Sequence, residues 1–277
     1  MECVRLNSGY EIPTIGLGTW ELTDREIFLN ALEEAYNLGY RHIDTASFYG
    51  NEDIIGEFLK KHDRKEFFIT SKLWNTDHSN VLAAINKSLE KLSTDYLDMY
   101  LVHWPVNLNG PFDLKSVWTQ MEKLVDLNKT KSIGVANFGI KNLTKLLEFC
   151  KIKPAILQVE LHPYLPQYEL REFCEKNQIR VMSYSSLGSS FGGKVILTKD
   201  PVLSDVAKRH NCPVQTVILN FLLSEGLLVI PRSKSKEHLK TNMQRIELKD
   251  EDMQKIRDIK TRYRYIDPKP FGDHRFD

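Results

Sequence analysis

A chain of 277 residues with 42% hydrophobic and 27% charged residues is long enough to bury a large core, and this length suits one large α/β barrel or two smaller domains. A formal net charge of +1 excludes any global electrostatic bias toward nucleic acid or an anionic membrane. The four cysteines, Cys3, Cys150, Cys174 and Cys212, stand singly, at neither metal-ligand spacing nor the density of a disulfide framework. No apolar run follows Met1 and none elsewhere reaches membrane-spanning length, so the expectation is a cytosolic protein with reduced thiols.

In chain order, residues 4–6 and 11–13 predict a small hairpin across Asn7, Ser8, Gly9 and Tyr10, residue types that reverse a chain at little cost; it would serve as a lid or a plug. A repeating rhythm follows. Short apolar runs at 15–17, 41–44, 67–72, 96–102, 132–135, 156–160, 180–184 and 227–230 predict eight strands. Amphipathic stretches at 25–38, 51–61, 80–92, 114–127, 140–150 and 168–176 predict helices between the first seven. Two more helices, 200–210 and 213–224, precede the last strand, and 236–243 and 249–259 follow it. Eight strands alternating with helices fit a closed (β/α)8 TIM barrel better than an open doubly wound sheet. No Pro-, Gly- or Ser-rich linker divides the chain, so residues 1–277 are expected to form one domain. The polar, aromatic-studded tail 261–277 would fold over the barrel mouth.

In such a barrel the active site forms at the carboxyl ends of the strands. The predicted ends carry Asp44 with Tyr49 just beyond, Ser71 and Lys72, His103 and Trp104, Ala136 and Asn137, Gln158 and Glu160, and Arg232 and Ser233. One strand-end Asp or Lys is ordinarily half of a structural ion pair. Asp44, Tyr49, Lys72 and His103 at one rim make a chemical set: an ammonium beside a phenol favours the phenolate, a carboxylate holds the ammonium, and an imidazole orients a carbonyl or relays a proton. That set is a tuned general acid.

These residues sit in ordered motifs along nearly the whole chain. The runs are Ile15-Gly16-Leu17-Gly18-Thr19-Trp20, Gly39-Tyr40-Arg41-His42-Ile43-Asp44 with Glu52 and Gly56, Ser71-Lys72-Leu73-Trp74, Leu101-Val102-His103-Trp104-Pro105, Gly134-Val135-Ala136-Asn137-Phe138 and Ile230-Pro231-Arg232-Ser233. With these motifs the sequence resembles the aldo-keto reductase superfamily. The resemblance implies hydride transfer from a reduced nicotinamide to a carbonyl carbon, with Tyr49 protonating the oxygen, Lys72 lowering its pKa, Asp44 fixing Lys72 and His103 orienting the carbonyl. It implies NADPH as cofactor, with Tyr184 stacking on the nicotinamide, Asn137 and Gln158 gripping its carboxamide, and Thr19, Trp20 and Asp44 lining its other side. Ser185, Leu187, Arg232, Ser233, His238 and Asn242 complete the implied cofactor contacts. The basic, hydroxyl-rich run Arg232-Ser233-Lys234-Ser235-Lys236 suits a 2'-phosphate. Trp20, Phe48, Trp74, His103 and Trp104 would wall the substrate pocket, which suits small carbonyl compounds with an apolar body. The family is often monomeric.

The sequence departs from the family pattern in four places. Ala136 replaces a serine, Leu157 an asparagine and Ser186 a proline; His238 stands where many members have an arginine, which weakens the NADPH preference and implies some NADH use. The run Gly188-Ser189-Ser190-Phe191-Gly192-Gly193-Lys194 has the glycine spacing of a phosphate-binding loop, but Val195 stands where Ser or Thr is needed, so it is better taken as a flap over the cofactor. Gly16-Leu17-Gly18 lacks the third glycine of a dinucleotide fingerprint. No metal site is expected. The rival readings are a catalytically weak, NADPH-binding regulatory barrel and a barrel isomerase or lyase using Tyr49 and Lys72 without hydride transfer; an intact tetrad argues against the first.

Overall fold

A computed structural model describes residues 2–189, 195–272 and 276. The hairpin comes first: β1 (Cys3–Arg5) pairs antiparallel with β2 (Glu11–Pro13), with Val4 opposite Ile12. Eight parallel strands follow, β3 (Leu17–Gly18), β4 (His42–Asp44), β5 (Phe68–Leu73), β6 (Leu97–Val102), β7 (Thr130–Ala136), β8 (Ile156–Glu160), β9 (Arg180–Tyr184) and β10 (Leu228–Val229), each beside its sequence neighbours. The sheet then closes on itself. Ile15 bridges Val229 and Gly18 bridges Arg232, both parallel, and Gly16 N donates to the Val229 carbonyl at 2.9 Å. Gly18 is glycine at that seam for a steric reason: a Cβ there would lie 2.5 Å from the Ile230 carbonyl oxygen.

Ten helices lie among the described residues: α1 (Arg25–Asn37), α2 (Glu52–Leu59), α3 (Val81–Leu92), α4 (Leu114–Asp126), α5 (Ile140–Phe149), α6 (Tyr168–Lys176), α7 (Pro201–Arg209), α8 (Val214–Ser224), α9 (Lys236–Asn242) and α10 (Asp250–Arg257). Their starts follow capping chemistry, with Asp24, Asn80, Asp113 and Asp200 accepting from backbone N–H groups of the first turn. Strands β5, β6 and β8 are buried at every position, because side chains on one face fill the barrel and those on the other meet the helices. The architecture is the (β/α)8 barrel expected from the alternation, and boundaries shift by only a residue or two. β3 and β10 are the shortest strands at two residues each, and β10 stops early because Pro231 follows closely and has no N–H to extend the ladder.

The hairpin is a plug and not a lid. Leu6 and Ile12 are buried in a cluster with Met99, Met182 and Leu228 from the barrel interior. Asn7 Nδ2 donates to the carbonyls of Pro154 and Gln178, and the Ser8 and Ser132 hydroxyls lie 2.7 Å apart, all at the amino ends of the strands. The opposite end is therefore the mouth. There the tail crosses the barrel, with Tyr263 N donating to the Tyr164 carbonyl at 3.1 Å and a single turn at Lys269–Phe271.

Replacing Ile12 by Ala should cost about 2–5 kcal/mol, as for other large-to-small changes in a packed core, read as a shift in the urea midpoint with an unchanged slope. A loss below about 0.5 kcal/mol, the scale of neutral surface changes, would show that the hairpin does not fill the barrel.

Candidate active site

Strand β5 alternates its side chains across the barrel wall. Ser71 points outward and donates to Glu52 Oε1 of α2 at 2.6 Å, while Thr70 and Lys72 point inward, Thr70 meeting the His42 imidazole at 3.0 Å. Lys72 is 0% exposed. Its Nζ donates to Asp44 Oδ1 at 2.6 Å and to the Thr45 carbonyl at 2.8 Å, and it lies 3.5 Å from the Tyr49 hydroxyl. The second oxygen of Asp44 accepts from Gln158 Nε2 of β8 at 2.7 Å. A buried ion pair persists only when its remaining donors and acceptors are met, and here both partners are.

Burial pushes the Asp44 carboxyl up and the Lys72 ammonium down, each against the pull of the other. The Lys72 charge adds to burial in holding His103 well below the usual imidazole range, so His103 is neutral at pH 7. Tyr49 departs from the sequence-based expectation. Burial raises its phenol well above the usual range and the Asp44 carboxylate raises it further, which outweighs an ammonium only at the long edge of hydrogen-bonding distance.

A second set of side chains comes from β6 to β9. Asn137, just past β7, sits at φ +64°, a left-handed conformation that Asn tolerates better than most residues. Its Oδ1 accepts from the Tyr184 hydroxyl at 2.7 Å and its Nδ2 donates to the His103 carbonyl at 2.9 Å. Ser185, at φ +49°, turns the chain directly after Tyr184. Left-handed backbone at the ends of β7 and β9 marks where the structure holds side chains against local preference.

These groups face one cavity of about 520 Å³ at the barrel mouth. Its polar floor is Asp44, Asn137, Gln158 and Tyr184, and its rim is aromatic. Phe48 stacks on Trp74 at 3.7 Å between centroids and on Trp20 at 5.7 Å, while Trp20 meets Tyr49 edge-on at 4.9 Å. The tail closes the far side, with Phe271 5.4 Å from Trp104 and 6.1 Å from Trp74.

Of the residues expected from the sequence, Thr19, Trp20, Asp44, Phe48, Tyr49, Trp74, His103, Trp104, Asn137, Gln158, Tyr184, Ser185, Leu187 and Arg232 all line this cavity. Lys72 lies behind its wall, at full burial. Ser233, His238 and Asn242 are not among the lining residues: the Ser233 hydroxyl bonds the Ser235 backbone, His238 is exposed on α9, and Asn242 is buried beside the Tyr40 phenol. Of the departures, Ala136 and Leu157 are buried outside the cavity, whereas Ser186 lines it and pairs with Ser183 at 2.6 Å. Residues 190–194 of the expected flap lie outside the described residues.

Two residues escaped the sequence reading. Asn51, taken as a helix start, does not cap α2; its Oδ1 accepts from Thr45 Oγ1 at 2.9 Å and its Nδ2 donates to the Thr19 and Leu22 carbonyls, tying the Trp20 loop to the Tyr49 loop. Glu21 pairs with Arg232 across the rim, where Arg232 also donates to the Trp20 carbonyl at 3.0 Å. Neither had a local sequence signal, since both act across distant loops.

A closed eight-stranded barrel thus holds a buried Lys–Asp pair behind a phenol at its mouth, and comparison with known proteins gives its class as barrel oxidoreductase. The profile of the Aldo/keto reductase family matches residues 14–261. An aldose reductase of Encephalitozoon cuniculi (strain GB-M1) is 46% identical over 98% of this chain and 98% of that protein. The glycerol 2-dehydrogenase (NADP(+)) of Saccharomyces cerevisiae is 39% identical over 92% of this chain and 89% of its own length. Among solved structures, the aldose reductase from Schistosoma japonicum superposes with a TM-score of 0.91 at 34% identity, covering 100% of this chain and 98% of that one. The chain belongs to the aldo-keto reductase family, whose chemistry is carbonyl reduction.

Lys72→Met leaves the Asp44 carboxylate buried without its cation and should cost about 3–5 kcal/mol of stability. Adding Asp44→Leu should restore most of that loss in a double-mutant cycle read by chemical denaturation. A double variant no more stable than Lys72→Met alone would mean that the pair is not the electrostatic unit of the site.

Proposed function

We propose that residues 1–277 form one NADPH-dependent carbonyl reductase domain acting on aldehydes, ketones or open-chain sugars, with Tyr49 as the general acid. One observation carries this reading: the Tyr49 hydroxyl stands on the cavity wall directly in front of the buried Lys72–Asp44 pair. The cavity fits a nicotinamide ring. Tyr184 offers a flat aromatic surface, and the Asn137 and Gln158 amides, held by the His103 carbonyl and by Asp44, match the donor and acceptor of a carboxamide. When bound, the reduced cofactor supplies the hydride.

The chain's own residues then act on the carbonyl oxygen. Tyr49 keeps its proton at neutral pH, as an acid must, and gives it up only as negative charge grows on that oxygen. The fixed Lys72 ammonium stabilises the phenolate left behind, and Asp44 keeps the ammonium aimed. Neutral His103 orients the carbonyl without adding a second charge. Trp20, Phe48, Trp74 and Trp104 exclude water around the substrate body.

NADPH preference is supported by the relative named for NADP(+) and by the basic run that begins at Arg232. Ser233, His238 and Asn242 lie on the loop after β10 and on α9, where the far end of an extended cofactor would reach; histidine in place of arginine leaves room for some NADH use. A monomer is the working unit that membership of an often monomeric family supports. Four cysteines that stand singly in the sequence support a reducing, cytosolic setting.

Depletion of absorbance at 340 nm with glyceraldehyde and NADPH tests the reading, because a regulatory barrel or an isomerase would leave the signal unchanged. Tyr49→Phe should lower kcat by about 10²–10⁴-fold while NADPH still binds with parent affinity, followed by fluorescence titration. Turnover at the parent rate would remove Tyr49 as the acid. Glu21→Gln frees Arg232 from an exposed ion pair and should tighten NADPH about twofold to fivefold with NADH unaffected. Equal changes for both cofactors would place Arg232 away from the 2'-phosphate.

A further inference from the structure

Glu160 ends β8 two residues beyond Gln158, on the same face of the strand, and is 0% exposed. It takes no part in the chemistry above, yet its carboxylate is filled with donors. Oε1 accepts from Tyr265 N at 2.6 Å and pairs with His162 Nε2 at 3.0 Å; Oε2 accepts from Ile266 N at 2.8 Å. Two of these three donors are backbone groups of the C-terminal tail. A buried carboxylate stripped of its donors is costly, so the tail cannot lift without leaving Glu160 unsatisfied.

The anchored stretch is placed where it matters. Immediately after it, Ile266, Pro268 and Phe271 form the tail-side wall of the cavity. The same anchor reaches the loop after β9: the Tyr265 ring packs edge-on against His162 at 5.1 Å, and its hydroxyl accepts from Leu197 N at 3.1 Å. Gly188, on the cavity wall, backs so closely onto Tyr265 that a Cβ there would lie 3.1 Å from the phenol ring.

We infer that Glu160 is a positioning residue that sets substrate selectivity: by pinning the backbone of Tyr265 and Ile266, it fixes the Ile266–Pro268–Phe271 wall against which the apolar body of a bulky carbonyl substrate packs. The selectivity half of this inference rests on the carbonyl-reductase reading, while the anchoring half stands without it. Glu160→Gln keeps the shape and turns one acceptor into a donor facing a backbone N–H.

In that variant, trypsin should cleave after Arg262 or Arg264 about tenfold faster than in the parent while the barrel fragment persists, tenfold being the scale of one lost hydrogen bond to a charged group. KM for an aromatic aldehyde should rise about tenfold with kcat within about twofold, and both constants for glyceraldehyde should stay at parent values. Phe271→Ala should reproduce the KM split without the change in cleavage. Parent-like cleavage, or equal losses for both substrates, overturns the inference. Should Glu160→Gln fail to fold, Ile266→Pro deletes one donated N–H from the tail side and is judged by the same two measurements. A parent protein that reduces no carbonyl refutes the proposed function, and the cleavage rates still decide whether Glu160 holds the tail.

Discussion

Everything at the mouth of this barrel depends on keeping one positive charge where water cannot reach it. An unpaired ammonium in the barrel interior would surrender its proton, so Lys72 persists as a cation only because Asp44, the Thr45 carbonyl and the Tyr49 hydroxyl surround it with oxygen. Three strands must be in register for that: β4 supplies Asp44, β5 supplies Lys72, and β8 supplies Gln158 to hold the other side of the carboxylate. A barrel meets this demand better than an open sheet, because strands far apart in sequence face one another across its interior.

Burial and the ion pair together then set the protonation of the neighbours. Burial holds His103 neutral and the ammonium adds to it, so the site holds one fixed ion pair beside neutral groups that can still give or share a proton. Such an arrangement stabilises negative charge as it forms and offers little to a substrate that is already anionic at the reacting atom. The raised phenol of Tyr49 fits the role of acid proposed for it. An acid that held its proton weakly would lose it to water before any carbonyl arrived.

Much of this was legible in the sequence, for identifiable reasons. Strand and helix positions followed from apolar runs and capping residues, which are local signals, and the strand-end polar residues followed from the barrel rule. What stayed hidden is long-range. Nothing near Asn51 tells that its amide is spent on Thr19, Leu22 and Thr45 and not on capping α2, and nothing near Glu21 points to Arg232, 211 residues away. The direction of the Tyr49 shift was hidden too, because it is a contest between burial and two opposite charges whose distances only a folded structure provides. The hairpin's role was undecided between lid and plug because composition does not tell which end of a barrel a segment covers.

The site also divides into a fixed part and an adjustable part. The floor is buried and saturated: Asp44, Lys72, Asn137 and Gln158 are each held by at least one hydrogen bond between strands. The rim is different. Phe48 is 48% and Trp20 38% exposed, and their rings stack on one another at the rim. The tail would belong with the rim were it not for Glu160, which roots it in the end of a barrel strand and gives it the rigidity of the floor. Chemistry that tolerates little displacement is thus assigned to strand ends, as preorganised catalysis requires. The proposed recognition is thus shared between an exposed aromatic rim and a wall rooted in the barrel.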